Sequence, residues 1–125
     1  MASGKENATY QLLIVVDEAV SVRVGQLGEF AFAPGYYVYT GSARRGMKAR
    51  LKRHLARDKR LRWHIDYLLA NPHVTVVDVQ ILDQPECEVN QYITGTIPVP
   101  GFGASDCTAG CGAHLFEVRS VNWEG

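Results

Sequence analysis

YYVYTGSARRGMKARLKRHL, residues 36–55, decides the fold. Its first part is rich in aromatic and β-branched residues, and alternation puts Tyr37 and Tyr39 on one face of a strand. Gly41-Ser42-Ala43 ends that strand. A helical pattern follows. Met47, Leu51 and Leu55 stand four apart and form one apolar face, while Arg50 and His54, also four apart, share a second. The stretch therefore reads as strand, turn, helix. It delivers a phenol at the end of the strand and a guanidinium and an imidazole on the helix that follows.

The same reading extends in both directions. Residues 10–16, YQLLIVV, form a short run rich in β-branched residues, bounded by Asp17-Glu18, and read as a buried strand. Residues 20–24, VSVRV, alternate and predict a half-exposed strand. Residues 29–33, EFAFA, do the same with Phe30 and Phe32 on one face, before Pro34-Gly35. Downstream, Asp58–Arg60 interrupts the helix. A second helix covers Trp63 to Leu69 and stops before Asn71-Pro72, because the residue before proline avoids the α region. Residues 74–82, VTVVDVQIL, predict another strand. Pro85 suits the first turn of a further helix running to about Ile93, with Glu86 and Glu88 favoured near its positive end. Residues 95–112, rich in Gly and Pro, read as a structured loop, and His114 to Val118 as a last strand. The order β, β, β, β, α, α, β, α, loop, β defines a mixed α/β, or α+β, class. We expect a flexible N-terminus over residues 1–9, one domain over 10–118 and a tail over 119–125.

The chain has 125 residues and a formal net charge of zero, but that average conceals a strong polarity. Residues 44–62 hold ten Lys or Arg and one acid, Asp58, a local charge of +9 balanced by −9 elsewhere. Such a segment attracts phosphate-rich partners. The alternatives are a merely solvated helix face or a protein-interaction surface for an acidic partner. Apolar residues make up 46%, enough for one core without a disulfide or metal staple. No apolar run approaches the roughly 20 residues that span a bilayer, and Met1 to Thr9 lacks the pattern of a signal peptide. Three cysteines, an odd number, argue against a secreted disulfide framework. These features predict a soluble cytoplasmic protein that does not engage membranes.

Three groups carry chemistry: the phenols of Tyr10 and Tyr39, the pair Arg50 and His54, and the acids Glu86 and Glu88. Phosphodiester cleavage uses these types of group. A base activates water, a cation neutralises charge on the phosphorane, and a carboxylate holds a divalent metal. Arginine suits the phosphate because its planar fork binds two oxygens. Each residue taken alone is more often structural, a strand tyrosine being ordinarily a core residue with a satisfied hydroxyl.

Tyr39-Thr40-Gly41-Ser42-Ala43, then Arg50 and His54 on the next helix, resembles the second half of the GIY-YIG nuclease signature. Of the first half, Ala8-Thr9-Tyr10 keeps only the tyrosine. The 28 residues between Tyr10 and Tyr39 exceed the family's usual spacing, so residues 17–35 would be an inserted hairpin. GYYVYTGSA, KRHL, RWHIDYLL, ECEV, PGFGASDC and HLF together resemble the Uri-type branch, whose members stand alone or are fused to DNA-repair glycosylase domains. The resemblance spans Tyr10 to Phe116. It implies a small GIY-YIG-like domain, a central mostly antiparallel sheet flanked by helices, and a metal-dependent endonuclease acting on DNA with one Mg²⁺ or Mn²⁺. Tyr10 and Tyr39 would line the site, one of them helping to activate water. Arg50 would brace the scissile phosphate, and His54 would assist proton transfer or orient a tyrosine. Glu86 would hold the metal, with Glu88 the alternative. The asparagine that follows in many relatives has no clear counterpart here. Arg44, Arg45, Lys48, Lys52, Arg53, Arg57, Lys59, Arg60 and His64 would contact the nucleic acid. Nothing in the residues separates DNA from RNA, and a non-catalytic binding module using residues 44–62 is the rival reading. With no reader domain, a protein partner for targeting is compatible with the sequence.

Further signals lie outside that set. His64 points into the site or pairs with Asp66. Gly101-Phe102-Gly103 lacks the Lys-Ser/Thr of a P-loop and is expected to fold over the site. Cys107, Cys111 and His114 have partial zinc-ligand spacing, but the fourth ligand would have to be Asp106 or Cys87, so a structural zinc is the less favoured reading against two cytosolic thiols and a packed histidine.

Overall fold

Eight regular elements build the fold, seen in a computed structural model that describes residues 9–42, 47–56, 64–82, 98, 102 and 114–118. They are strands β1 (Thr9–Val16), β2 (Val20–Val24), β3 (Gly28–Phe32) and β4 (Gly35–Ser42), helices α1 (Met47–Leu55) and α2 (His64–Leu69), and strands β5 (Val74–Leu82) and β6 (Leu115–Val118). Four strands form one sheet in the order β5-β1-β4-β6, and β2 and β3 form a separate two-stranded sheet. Every pairing is antiparallel. This is the mixed α/β class with an antiparallel sheet that the sequence predicts.

β1 is apolar from Leu12 to Val16 because both of its faces are covered. Leu12, Ile14 and Val16 join the main core with Tyr37 and Tyr39 of β4, Leu115 of β6 and Val74 of β5. Ile65, Leu68 and Leu69 of α2 and Val22, Val24 and Phe32 of the hairpin close over this face. Leu13 faces the other way into a smaller cluster with Val38, Val118 and Phe116. The hairpin expected between the two tyrosines is thus present. It turns through a 3-10 segment at Gly25–Leu27, where Gly25 takes a φ of 52°, open to glycine at little cost. α2 ends as its sequence predicts: the Asn71 N–H returns to the Leu68 carbonyl, and the Asn71 side chain accepts from the His73 N–H before β5 begins.

One expectation about α1 is corrected. Met47 and Leu51 pack against the core, but Leu55 is 55% exposed and the buried residue of the last turn is His54. Each residue turns a helix by about 100°, so position 54 returns to within about 20° of Met47 while position 55 overshoots by about 80°. The two faces assigned to α1 are therefore one: Met47, Leu51 and His54 point inward with Arg50 at their flank. Among the described residues no helix is long and apolar enough to cross a membrane. The N-terminal residues 1–8, the helix expected from Pro85 to Ile93 and most of the loop over 95–112 lie outside the described residues.

Candidate active site

Tyr10, Tyr39 and His54 meet although 44 positions separate the first and last. β1 and β4 pair so that Tyr10 stands opposite Gly41 and Leu12 opposite Tyr39. The two tyrosines are therefore diagonal neighbours on the core face, with ring centroids 6.4 Å apart. α1 then brings His54 between them, its ring 5.3 Å from that of Tyr10 and 6.2 Å from that of Tyr39. The phenol oxygen of Tyr10 lies 2.6 Å from Nε2 of His54. All three are buried, at 1%, 8% and 2% exposure, Tyr39 being the one that reaches furthest toward solvent.

Gly41 explains itself in this arrangement. A Cβ there would lie 2.5 Å from the Tyr10 hydroxyl oxygen and 2.6 Å from Cζ. The glycine of the Tyr-Thr-Gly turn is thus the space in which the Tyr10 phenol reaches His54.

The end of β4 is tied to β6. The Thr40 N–H donates to the His114 carbonyl at 3.0 Å, and His114 Nδ1 donates to the Thr40 carbonyl at 3.2 Å. The His114 N–H in turn donates to the Phe102 carbonyl at 2.8 Å. Phe102, fully buried, sets its ring edge-on to Tyr39 at 6.3 Å and to His64 at 5.6 Å. Burial lowers the pKa of His64, which favours its neutral ring.

Arg50 and His64 lie on the same side of the sheet as this cluster, Arg50 one turn before His54. Lys48 and Lys52 are exposed on the outer face of α1. Arg53, assigned to the nucleic acid from sequence, directs Nη2 of its guanidinium to the fully buried Asp66 of α2, at 2.8 Å. Asp66 holds Arg53, and the His64 ring packs on Phe102. Glu86, Glu88, Asp106, Cys87, Cys107, Cys111, Arg44, Arg45, Arg57, Lys59 and Arg60 lie outside the described residues. Among the described residues no group of three His, Cys, Asp or Glu side chains could hold a metal ion.

Two neighbours of this cluster received no role of their own from the sequence: Asp66 entered only as a partner for His64, and Phe102 only as part of a loop over the site. Asp66 had a signal: a carboxylate set among Ile65, Leu68 and Leu69 must be buried with them, and a buried carboxylate needs a cationic partner. Phe102 had a weaker one, a lone large aromatic in a Gly-rich loop.

A tyrosine pair on adjacent antiparallel strands, closed by a histidine from the helix after the second strand, defines a small α+β domain with a buried Tyr-Tyr-His cluster on one sheet face. The chain belongs to the family described as Domain of unknown function DUF123, whose model matches residues 9–124. No match was found among curated proteins or among solved structures.

Proposed function

We propose that this domain is a GIY-YIG-type, metal-dependent endonuclease that hydrolyses phosphodiester bonds in DNA. The observation that carries the reading is the 2.6 Å contact between the Tyr10 hydroxyl and His54 Nε2, beside Tyr39 and on the helix face that bears Arg50.

A phenol with a reference pKa near ~10 is a poor base at neutral pH. His54 changes this. With its proton on Nδ1, the ring accepts the Tyr10 O–H at Nε2, and the phenol oxygen gains electron density. As that oxygen takes a proton from the attacking water, the phenol's own proton passes to His54. The imidazole, with a reference pKa near ~6.5, is the true sink. Tyr39 walls the other side of the imidazole and keeps water from competing for it. Arg50 offers a planar fork to the phosphate as charge builds on its oxygens. Lys48 and Lys52 add the exposed positive field that draws the backbone in. Glu86 is the proposed carboxylate for a single Mg²⁺ or Mn²⁺, hard cations that take oxygen ligands and keep several waters. Such an ion, when bound, supplies Lewis-acid stabilisation of the phosphoryl oxygens.

The test is a cleavage screen on single-stranded, nicked, branched and duplex DNA, and on RNA, with Mg²⁺ or Mn²⁺. Tyr10→Phe deletes only the hydroxyl, and Arg50→Ala removes the guanidinium together with its methylene stem. Each is expected to cut turnover by on the order of 10²–10³ while the nucleic acid is still bound, and Glu86→Ala to remove the metal dependence. Full activity of Tyr10→Phe and Tyr39→Phe combined, or undiminished cleavage in excess chelator, rejects the mechanism.

A further inference from the structure

We propose that the Arg53–Asp66 ion pair is a positioning device that sets the roll of α1, and with it the aim of His54 and Arg50. This rests on the nuclease reading for its catalytic consequence but not for its structural one.

α1 has nine residues, and helices that short do not hold themselves in water. Its orientation comes from what it touches. Met47 and Leu51 supply apolar packing against the core, which is non-directional and tolerates rotation. Its polar contacts include two that are directional: His54 to Tyr10, and Arg53 to Asp66 at 2.8 Å. Arg53 lies about 100° round the helix from His54. Its bond therefore resists rolling about the helix axis in a way that a second contact on the His54 side would not.

Asp66 is fully buried, and its neighbours Ile65, Leu68 and Leu69 are all core residues. Arg53 sits in the last turn of α1 and Asp66 in the first turn of α2, so each charge also meets the favourable end of its own helix dipole. A buried carboxylate is a poor stability device, because its desolvation offsets much of the attraction and apolar replacements are often as stable. What it does supply is direction. The pair also withdraws Arg53 from the phosphate-binding set.

The experiment compares wild type with Asp66→Asn, Arg53→Lys, Arg53→Met and the apolar pair Arg53→Met/Asp66→Leu. The first readout needs no substrate: ¹⁵N NMR of the His54 imidazole, with Tyr10→Phe as the reference for a broken Tyr10–His54 bond. We expect Asp66→Asn, Arg53→Met and the apolar pair to move the His54 signal toward that reference. Arg53→Lys, which keeps the charge, should restore part of it. The second readout is cleavage, with kcat reduced about a hundredfold and KM little changed, as for a misplaced catalytic group. The third is the salt dependence of DNA binding. Its slope should be unaltered by Arg53→Met but reduced by about one phosphate contact for Lys52→Met. If Asp66→Asn does not fold, the charge-free pair, which leaves no lone buried charge, carries the test. A wild-type His54 signal in the folded variants overturns the proposal, as does an Arg53→Met slope that falls like that of Lys52→Met. A shifted signal in the variants of a wild-type protein that cleaves none of the substrates supports the positioning role and overturns the nuclease reading.

Discussion

Two side chains of the core face titrate in ways that can be measured. The Tyr37 hydroxyl donates to the Ala33 carbonyl at 2.7 Å. Burial first, and the charge of Glu117 second, raise its pKa to about 12. The unfolded chain therefore loses this proton first as pH rises above ~10, and folding stability falls between that pH and the folded value. Tyr37→Phe should flatten the alkaline limb of a denaturation-versus-pH profile. At neutral pH it should cost about 1 kcal/mol for the lost bond. An unchanged alkaline limb would show that Tyr37 ionises as freely folded as unfolded. His64 works in the opposite sense. Burial lowers its pKa, so as pH falls below ~6.5 the unfolded state takes up a proton that the folded state resists. Stability is lost on the acid side, and His64→Phe, which keeps an aromatic ring against Phe102, should lessen that loss in urea titrations at pH 5 to 7. A variant with the same acid-side slope as wild type counts against burial as the cause.

At the scale of elements, the last residues of β4 are the sensitive point. Gly41 has no unusual φ; its requirement is spatial, since a Cβ would meet the Tyr10 phenol at 2.5 Å. Gly41→Ala should push that phenol off His54 and cost about 1–3 kcal/mol, as overpacking does. Turnover should fall as in Tyr10→Phe, measured by urea melts and cleavage on the same samples. Normal turnover would mean that the Tyr10–His54 bond survives and that the close approach has another reason. The contrast with Leu55 is informative. Both were legible as pattern, glycine as the end of a strand and Leu55 as the third residue of an apolar stripe. The pattern was right about the strand end and misplaced the stripe. Over only nine residues a stripe at spacing four drifts off the core, and the residue at spacing seven takes its place even though it is a histidine. Apolarity alone does not decide which of two adjacent positions is buried when a polar side chain has a partner waiting inside.

For the whole molecule, the polarised charge predicts how it meets nucleic acid. The +9 segment over residues 44–62 should make DNA affinity fall steeply with salt, through release of counterions. Replacing Arg57, Lys59 and Arg60 with Glu should weaken binding at every salt concentration while circular dichroism stays that of wild type. Titrations by fluorescence anisotropy across a salt series check both, and a binding constant that ignores salt removes the electrostatic reading. The sequence by itself determined the elements that local pattern controls. β1 is a strand buried on two faces because it is apolar from Leu12 to Val16. β2 and β3 form a hairpin because alternation and turn residues suffice within a few positions. Tyr37 and Tyr39 share a face because a pleated strand repeats every two residues. What only the tertiary structure decided is the set of contacts between distant residues. These are the Tyr10–His54 bond across 44 positions, the ion pair of Arg53 with Asp66, and the ring of Phe102 between Tyr39 and His64. Each depends on a distance of a few ångströms and on which side of a helix a side chain leaves. Strand register and helix roll set those quantities together, and neither is written in the spacing of any one segment.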